Sequence, residues 1–433
     1  MGAAPVRALL LAEAANPEWV SVPRVGWCHA EALARHADVH LVTQVRNRDA
    51  ILRKGWREGT DFTAIDSEAV AAAMWKLSGL LRGGEDRGWT TLTALAWPSY
   101  YYFEELVWRQ LGERIRAGEW DVVHRITPVS PALPSPIARR LRRARVPFVV
   151  GPLNGGVPWP APFAGLRRRE GEWLSSVRGM HRWLPGHAAT RRHASAIVVA
   201  SRTTYRELAP RYRSRCVYIP ENAVDAAWSP RSAVREPRAP LRVVFVGRLV
   251  PLKCVDVLVE AAAPLCRDGR LRIDVIGDGP ERGRLEGLVR RLDVADAVRL
   301  LGWVPHEELP VRLREQDAFG FPSVREFGGG AVLEGMAAGL APVVVDYGGP
   351  AELVRDDSGY RVPLGDRDAL VRRFRSVLER MASRPREVAD KGRRARERAS
   401  ALFTWDAKAR QVLRVYEWVL GRASKPDYGM PFR

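Results

Sequence analysis

Short runs of apolar residues alternate along the chain with longer helix-like segments. In the first half, these runs predict buried strands at residues 6–12, 39–43, 122–126, 148–151, 197–200 and 217–220. In the second half, they predict strands at residues 243–246, 273–276, 298–301, 319–321 and 343–345. Continuous Val, Ile and Leu runs separated by helices are typical of a parallel sheet covered on both faces. The pattern therefore predicts an α/β fold with two successive βα series.

The two βα series predict two domains, because a chain of 433 residues is long enough for two hydrophobic cores. We assign residues 1–228 to an N-terminal domain and residues 241–402 to a C-terminal domain. The stretch 229–240 between them is polar and rich in proline and arginine, which is typical of a linker. The tail 403–433 starts with Phe-Thr-Trp-Asp and continues with apolar residues, which predicts a capped terminal helix.

Three features of the sequence bear on the compartment. The first residues resemble a secretion signal, but their apolar run is short and carries one arginine, so a first buried strand is favoured. No stretch reaches the about 18 apolar residues that a membrane-spanning helix requires. The four cysteines form no CxxC pair, which fits a reducing compartment. Together these features predict a cytoplasmic protein.

The net charge of +19 is compatible with nucleic acid, an anionic membrane or anionic substrates as partners. Only six of the 69 basic residues are lysine, and such an arginine bias is also typical of GC-rich coding. Nucleic acid is disfavoured, because no recognised binding module is present and the charge is spread over many predicted helices. Segments 67–112 and 166–193 combine arginine with tryptophan. They fit either helix packing or peripheral contact with the inner face of a membrane.

Glu326 and Glu334 bracket a glycine-rich segment, Glu-Phe-Gly-Gly-Gly-Ala-Val-Leu-Glu, between a predicted strand and a predicted helix. A glycine-rich turn into a helix offers backbone N–H groups to an anion. Carboxylates beside such a turn suit hydroxyl groups, and an anion with many hydroxyls describes a nucleotide sugar. The alternative is two unrelated acids, one on a loop and one on a solvated helix face.

Two cations follow the strand that ends at Gly247, namely Arg248 and Lys253. A guanidinium fork and an ammonium group at the carboxyl end of a parallel sheet suit a diphosphate. A rival pattern lies nearby, since Gly277, Gly279 and Gly283 approach the dinucleotide fingerprint of hydride-transfer enzymes. The third glycine is one residue late and the expected acid after the next strand is absent, so this rival is weak.

The Glu-x7-Glu segment, the Gly-Arg-Leu…Lys element, the Gly-Asp-Gly-Pro turn and the Gly-Trp-Val-Pro loop occur in an order that resembles the GT4 family of retaining glycosyltransferases. The resemblance covers the C-terminal domain well and the N-terminal domain loosely. It implies the GT-B architecture, in which two Rossmann-like domains face a cleft and a C-terminal helix crosses back onto the N-terminal domain.

The resemblance also implies roles for individual residues. Glu326 contacts the donor sugar, Glu334 accepts hydrogen bonds from ribose hydroxyls, and Arg248 and Lys253 hold the diphosphate. The family glycine after the lysine is Cys254 here, which leaves the role of the lysine standing. The full set of implied donor-binding residues is Gly247, Arg248, Lys253, Gly279, Val304, Phe327, Gly328, Gly329, Gly330 and Glu334. The implied catalytic residues are Glu326, His124, Arg248 and Lys253.

The N-terminal half matches the family less closely. His124 ends an Asp-Val-Val-His strand that resembles a family element, and it either contacts the donor sugar or is a core histidine. The usual double glycine after the first strand is not found, and Gly26 is the nearest substitute. Asn154 and Gly155 lie in a glycine turn after another strand. We assign Gly26, Asn154 and Gly155 to the acceptor side.

These observations predict an enzyme (EC 2.4) that transfers a sugar from a nucleotide-diphosphate sugar to an acceptor hydroxyl, with retention of configuration. We expect a role in polysaccharide, glycolipid or glycoconjugate biosynthesis, with a lipid-linked molecule among the candidate acceptors. No metal or other cofactor is predicted, because the Asp-Arg-Asp triplet at residues 366–368 is interpreted as a helix cap. The alternative is a degenerate relative that binds a nucleotide sugar or a partner without turnover.

Overall fold

A computed structural model describes residues 4–70, 97–169, 183–225, 228 and 239–428. The described residues form two compact units. Unit 1 is drawn from Met1–Gly156, Gly171–Glu221 and Trp405–Arg433. Unit 2 is drawn from Val157–Glu170 and Asn222–Thr404. The chain thus leaves unit 1 not only after Glu221 but also for a short segment after Gly156.

Within the described residues, unit 1 contains a parallel sheet with the strand order β3-β2-β1-β4-β5-β6-β7. The strands are β1 (Arg7–Ala12), β2 (Asp38–Gln44), β3 (Phe62–Ile65), β4 (Val122–Thr127), β5 (Phe148–Leu153), β6 (Ala196–Val199) and β7 (Cys216–Tyr218). Strand β1 lies inside the sheet and is buried after its first residue, so the prediction of a first buried strand is confirmed.

Unit 2 contains a second parallel sheet with the order β10-β9-β8-β11-β12-β13 in the described part of the chain. Its strands are β8 (Leu241–Val246), β9 (Leu271–Ile276), β10 (Val298–Gly302), β11 (Ala318–Phe321), β12 (Ala341–Val345) and β13 (Tyr360–Val362). All the predicted strands are present, with ends shifted by a few residues. The sequence analysis missed β3 and β13, which are short edge strands without a continuous apolar run.

Helices connect the strands in both units. In chain order they are α1 (Val22–Leu33), α2 (Arg48–Arg53), α3 (Trp97–Arg116), α4 (Ile137–Ala144), α5 (Ala164–Arg169), α6 (His187–His193), α7 (Arg202–Glu207), α8 (Pro210–Arg213), α9 (Val255–Arg267), α10 (Arg282–Arg291), α11 (Leu309–Leu313), α12 (Gly330–Ala337), α13 (Gly348–Leu353), α14 (Arg367–Ser383), α15 (Pro385–Leu402) and α16 (Trp405–Val419). Helices α5 and α9 to α15 belong to unit 2, and the others belong to unit 1.

Helix α14 shows how the local sequence sets an element. The Asp366 carboxylate accepts a hydrogen bond from the backbone N–H of Ala369 at 2.7 Å, which satisfies one of the free donors of the first turn. The buried face repeats at helical spacing with Leu370, Phe374 and Leu378. The interpretation of the Asp-Arg-Asp triplet as a cap is therefore confirmed for Asp366.

The terminal helix α16 packs against α1 in unit 1. Its buried residues include Lys408 and Tyr416, which are polar at one end of the side chain. The Lys408 ammonium donates to the carbonyl of Pro220, and burial lowers the pKa of Lys408 to about 7. The Tyr416 hydroxyl lies 2.6 Å from Nδ1 of His124. Polar contacts therefore tie α16 to the sheet as well as apolar packing.

Several predicted segments lie partly outside the described residues. Residues 229–238 of the predicted linker 229–240 lie outside the described residues. The same is true of residues 71–96 and 170–182 in the two segments rich in arginine and tryptophan. Among the residues that are described, no helix combines the length and apolar character needed to cross a membrane.

The first prediction concerns acid stability. Burial lowers the pKa of His124 to about 4, against 6.5 for a free histidine. In the unfolded chain this imidazole is therefore protonated below about pH 6.5, whereas in the folded chain it is protonated only below about pH 4. We expect this group to remove about 3 kcal/mol of stability as the pH falls through that window. Urea unfolding of the wild type and of His124→Gln at pH 7.5 and pH 4.5 measures the effect. The variant should lose less stability than the wild type on acidification, and an equal loss would contradict the prediction.

Candidate functional site

The predicted donor-side residues of unit 2 lie at one edge of its sheet, on loops and on the first turns of α12. Because all the strands are parallel, the loops that follow β8, β9, β10, β11 and β12 leave from the same edge. The strand order reverses between β8 and β11, which are hydrogen-bonded neighbours. In open parallel sheets, ligands bind outside the carboxyl ends of the strands at such a reversal. Lys253 follows β8 and Glu326 follows β11, so these two residues flank the reversal.

Lys253 and Glu326 form a salt bridge between the ammonium Nζ and the carboxylate Oε2. Their side chains are 16% and 22% exposed, so the pair is largely shielded and still reachable from solvent. The Lys253 ammonium also lies 4.7 Å from the centre of the Phe321 ring, at the end of β11. The structure thus brings together two residues that are 73 positions apart in the sequence.

The turn that carries Lys253 is held against the loop after β11. Pro251–Lys253 is a 3-10 turn, and the carbonyl of Leu252 accepts a hydrogen bond from the backbone N–H of Val324 at 3.1 Å. The next residue, Cys254, has the left-handed backbone torsions φ 48° and ψ 39°. A residue with a side chain pays about 1–2 kcal/mol for this conformation, which explains why glycine suits this position in the family that the sequence resembles.

The loops after β8, β9 and β10 contact one another through glycine. The backbone N–H of Gly277 donates to the carbonyl of Gly302 at 2.7 Å. Gly277 has φ +139°, and a Cβ there would lie 1.9 Å from the carbonyl oxygen of Gly247. The predicted donor residue Gly279 makes a similar approach to the carbonyl of Leu249, at 2.5 Å. These positions require glycine, because a side chain would force the loops apart.

Glu334 lies on α12, whose first residue is Gly330, the last glycine of the run Gly328 to Gly330. Its carboxylate Oε1 lies 2.9 Å from Nε2 of His306, so the imidazole N–H donates to the acid. The ring of His306 also packs against Trp228, with the ring centres 4.9 Å apart. The sequence analysis missed His306 and Trp228. Only the position of His306, two residues after Val304 in the loop following β10, could have drawn attention to it.

The glycine-rich segment after β11 is packed against the turn after β12. The backbone N–H of Gly349 donates to the carbonyl of Glu326 at 3.0 Å. A Cβ on Gly349 would lie 2.0 Å from the carbonyl oxygen of Phe327, so only glycine allows this approach. The remaining donor-side predictions are also at this edge, with Arg248 exposed after β8 and Val304 half-buried after β10. Among the described residues, no group of three potential metal ligands occurs.

The predicted acceptor-side residues of unit 1 lie at the carboxyl edge of its own sheet. The order reverses there between β1 and β4. Gly26 lies beside this reversal, since a Cβ on it would be 2.2 Å from the carbonyl oxygen of Ala14 and 3.1 Å from the Thr127 methyl. Asn154 and Gly155 follow β5, and the Asn154 amide donates to the Glu221 carboxylate at 2.7 Å.

The environment of His124 does not support the catalytic role predicted for it. The side chain is fully buried, and burial lowers its pKa to about 4, so the ring is neutral. Nε2 lies 2.6 Å from the carbonyl of Gly151, and Nδ1 lies 2.6 Å from the Tyr416 hydroxyl. A neutral imidazole has one donor and one acceptor, and both are used here. His124 is therefore a core residue that ties β4 to β5 and to α16.

A family model described as glycosyl transferases group 1 matches residues 229–395. A D-inositol 3-phosphate glycosyltransferase of Kineococcus radiotolerans is 32% identical over 252 residues, which are 52% of this chain and 57% of that protein. The chain spans about half the length of the curated relatives that it matches. The matched region contains all the residues that the sequence analysis predicted to bind the donor, whereas Trp228 lies just before it.

Solved structures resemble this chain over most of its length, among them the following two. Sucrose-phosphate synthase from Thermosynechococcus elongatus has a TM-score of 0.64 and 19% identity, and the match covers 96% of this chain and 100% of that one. The Anabaena protein HepE in complex with UDP has a TM-score of 0.59 and 16% identity, with coverage of 94% and 99%. At such low identity the likeness concerns the fold, and it confirms the predicted α/β class with two Rossmann-like domains. Residues 229–395, which are less than half of the chain, are thus similar to the family described as glycosyl transferases group 1.

Proposed function

We propose that the protein is a retaining glycosyltransferase that uses a nucleotide-diphosphate sugar as its donor. The observation that carries this proposal is the arrangement at the carboxyl edge of the unit 2 sheet. There Lys253 and Glu326 form a salt bridge beside the strand reversal, and Glu334 lies on the helix that follows the glycine-rich segment. Cations, carboxylates and backbone N–H groups at one edge match the parts of a nucleotide sugar.

Arg248 and Lys253 take the diphosphate in this proposal. The ammonium group of Lys253 has three donors, so diphosphate oxygens can share it with Glu326 or replace that carboxylate. During transfer the bond between the anomeric carbon and the diphosphate breaks, and negative charge grows on the leaving group. Fixed cations at that point stabilise the transition state more than the bound substrate. The same cations remove the need for a metal ion.

The two acids have separate roles. Glu334 binds the ribose hydroxyls, oriented by its hydrogen bond with His306. Glu326 binds the hydroxyls of the donor sugar. The acceptor oxygen bonds to the anomeric carbon on the face from which the diphosphate departs, so the configuration is retained. The proton of the acceptor hydroxyl leaves with the nucleoside diphosphate, which balances the reaction.

The acceptor is a hydroxyl compound that binds unit 1 near Gly26, Asn154 and Gly155. Support for a hydroxyl acceptor comes from the curated relative, whose name assigns it glycosyl transfer to inositol 3-phosphate. Support for a nucleoside diphosphate comes from HepE, which was solved with UDP. Synthesis of a polysaccharide, glycolipid or glycoconjugate by a cytoplasmic enzyme, soluble or at the inner membrane face, fits this reaction class.

The second prediction tests the donor site. Turnover and thermal stabilisation are measured with UDP, GDP and ADP and with their glucose conjugates. We expect one nucleotide to stabilise the protein and its sugar conjugate to be consumed. The double variant Lys253→Ala, Glu334→Gln should lower kcat/KM by at least about 10³-fold, because it removes a diphosphate contact and a ribose contact.

A matched control variant makes the same two changes of charge at positions that are not at this edge of the sheet. The variant Lys54→Ala, Glu315→Gln alters two exposed side chains, one in each unit, and should behave as the wild type. Normal turnover in the first double variant would contradict the donor assignment. Nucleotide binding without turnover for any acceptor would instead identify a degenerate glycosyltransferase.

The third prediction concerns metal ions. Because Arg248 and Lys253 supply the positive charge, we expect donor turnover in excess EDTA to stay within about twofold of turnover in Mg²⁺. The measurement is the release of nucleoside diphosphate under both conditions. Loss of activity in EDTA that Mg²⁺ restores would show that a metal ion neutralises the leaving group.

A further inference from the structure

Residues 157–169, which we call the strap, lie in the segment Val157–Glu170 of unit 2, and the chain belongs to unit 1 on both sides of that segment. The strap begins Val-Pro-Trp-Pro, continues through the 3-10 turn Ala161–Phe163 and ends in α5. Three of its first six residues are proline, which restricts the backbone before it docks and lowers the entropy lost on docking. The sequence analysis assigned no role to residues 157–165 of the strap, and it placed residues 166–169 in a segment that fits helix packing or membrane contact.

The strap holds Arg325, the residue immediately before Glu326. The Arg325 side chain is only 5% exposed, and its Nε donates to the carbonyl of Val157 at 3.0 Å. Its guanidinium lies 4.8 Å from the centre of the Trp159 ring and 5.0 Å from that of Phe327. The cation is thus placed between an aromatic ring of the strap and one of the glycine-rich loop. Such contacts are strongest when water is excluded, as it is here.

A second contact holds the turn that supports the same loop. The Tyr347 hydroxyl donates to the carbonyl of Pro158 at 2.8 Å. Tyr347 is followed by Gly348 and Gly349, and the backbone of Gly349 is hydrogen-bonded to the carbonyl of Glu326. Two adjacent carbonyls of the strap therefore accept hydrogen bonds from this region. The Val157 carbonyl binds Arg325 on the loop that carries Glu326, and the Pro158 carbonyl binds Tyr347 on the turn that supports this loop.

The end of the strap reaches the other partner of the salt bridge. Helix α5 packs against the turn Pro251–Lys253. Phe163 is buried just before this helix and anchors it. The strap thus contacts the segments that carry Glu326, Lys253 and Gly349.

We propose that the strap fixes the geometry of the Lys253–Glu326 pair, with Arg325 and Trp159 as positioning residues that act through Glu326. The inference rests on the proposed function for what Glu326 does, but the positioning itself depends only on the contacts above. In this role Arg325 acts through Glu326 and needs no contact with the donor. It prevents the loop from rotating Glu326 away from Lys253, because its side chain is clamped on a separate segment of the chain.

The fourth prediction tests the positioning directly, without any ligand. Hydrogen–deuterium exchange is followed in peptides that cover residues 322–330 and 345–353. In Trp159→Ala and in Arg325→Met, we expect amide exchange in both peptides to rise by about tenfold, because the loop loses its clamp. Trp183→Ala, which removes a tryptophan that is 89% exposed, should leave both peptides unchanged.

The milder variant Tyr347→Phe removes only the hydroxyl that binds the Pro158 carbonyl. It therefore keeps the proposal testable even if Trp159→Ala or Arg325→Met does not fold. It should raise exchange in the 345–353 peptide. If folded Trp159→Ala, Arg325→Met and Tyr347→Phe all exchange as the wild type does, the strap does not hold the loop and the proposal is wrong.

Kinetics then separate positioning from general stability. With the donor selected by the nucleotide panel, Trp159→Ala should lower kcat by about 10- to 100-fold, since misplaced contacts of this kind reduce the rate rather than binding. Inhibition by the matching nucleoside diphosphate should change much less than kcat, because Trp159 acts through Arg325 on Glu326, whereas Arg248 and Glu334 bind the nucleotide. Trp159→Phe retains an aromatic face and should recover most of the rate.

The outcomes also distinguish this proposal from the proposed function. If no donor is turned over by the wild type, the glycosyltransferase assignment fails, while the exchange measurement still decides whether the strap positions the loop. If turnover is normal in Trp159→Ala despite faster exchange, Glu326 does not depend on the strap for its role and the positioning proposal is overturned.

Discussion

Parallel pairing of β8 with β11 is the constraint on which the arrangement at the carboxyl edge of the unit 2 sheet depends. It places the carboxyl ends of two strands side by side, although about 75 residues of chain separate them. The turn after β8 then supplies Lys253, and the loop after β11 supplies Glu326. Backbone hydrogen bonds between neighbouring loops hold the rest of the edge, so that loops from five strands form one surface.

Glycine is the second requirement of this edge, since the loops approach too closely for side chains at Gly277 and Gly349. Close packing of loop backbones leaves N–H groups and carbonyls fixed in direction, which is the kind of preorganisation that anion binding needs. Cys254 shows the limit of this rule. It accepts a left-handed backbone with a side chain, and the turn that carries Lys253 keeps its shape.

Unit 1 uses buried polar side chains differently, to join elements rather than to present a surface. His124 and Lys408 are both fully buried and both bind backbone carbonyls. Burial lowers both pKa values, so the histidine removes stability from unit 1 as the pH falls from 6.5 to about 4, and the lysine does so between 10.5 and about 7. The histidine to which the family resemblance gave a catalytic role is thus part of the core. Its position at the end of the strand suits either a catalytic or a core histidine, and only its neighbours in the fold distinguish the two.

The sequence by itself determined the fold class and nearly all the strands, and it selected residues that lie together at the carboxyl edge of the unit 2 sheet, because apolar runs and short motifs are local signals. The edge strands β3 and β13 lack such runs, and their pairing depends on neighbours that only the sheet provides. The same holds for His306, which reaches Glu334 across 28 positions, and for Arg325, which is clamped by Val157 and Trp159. Tertiary structure alone decided these contacts, because no periodicity or spacing relates residues that far apart in the chain.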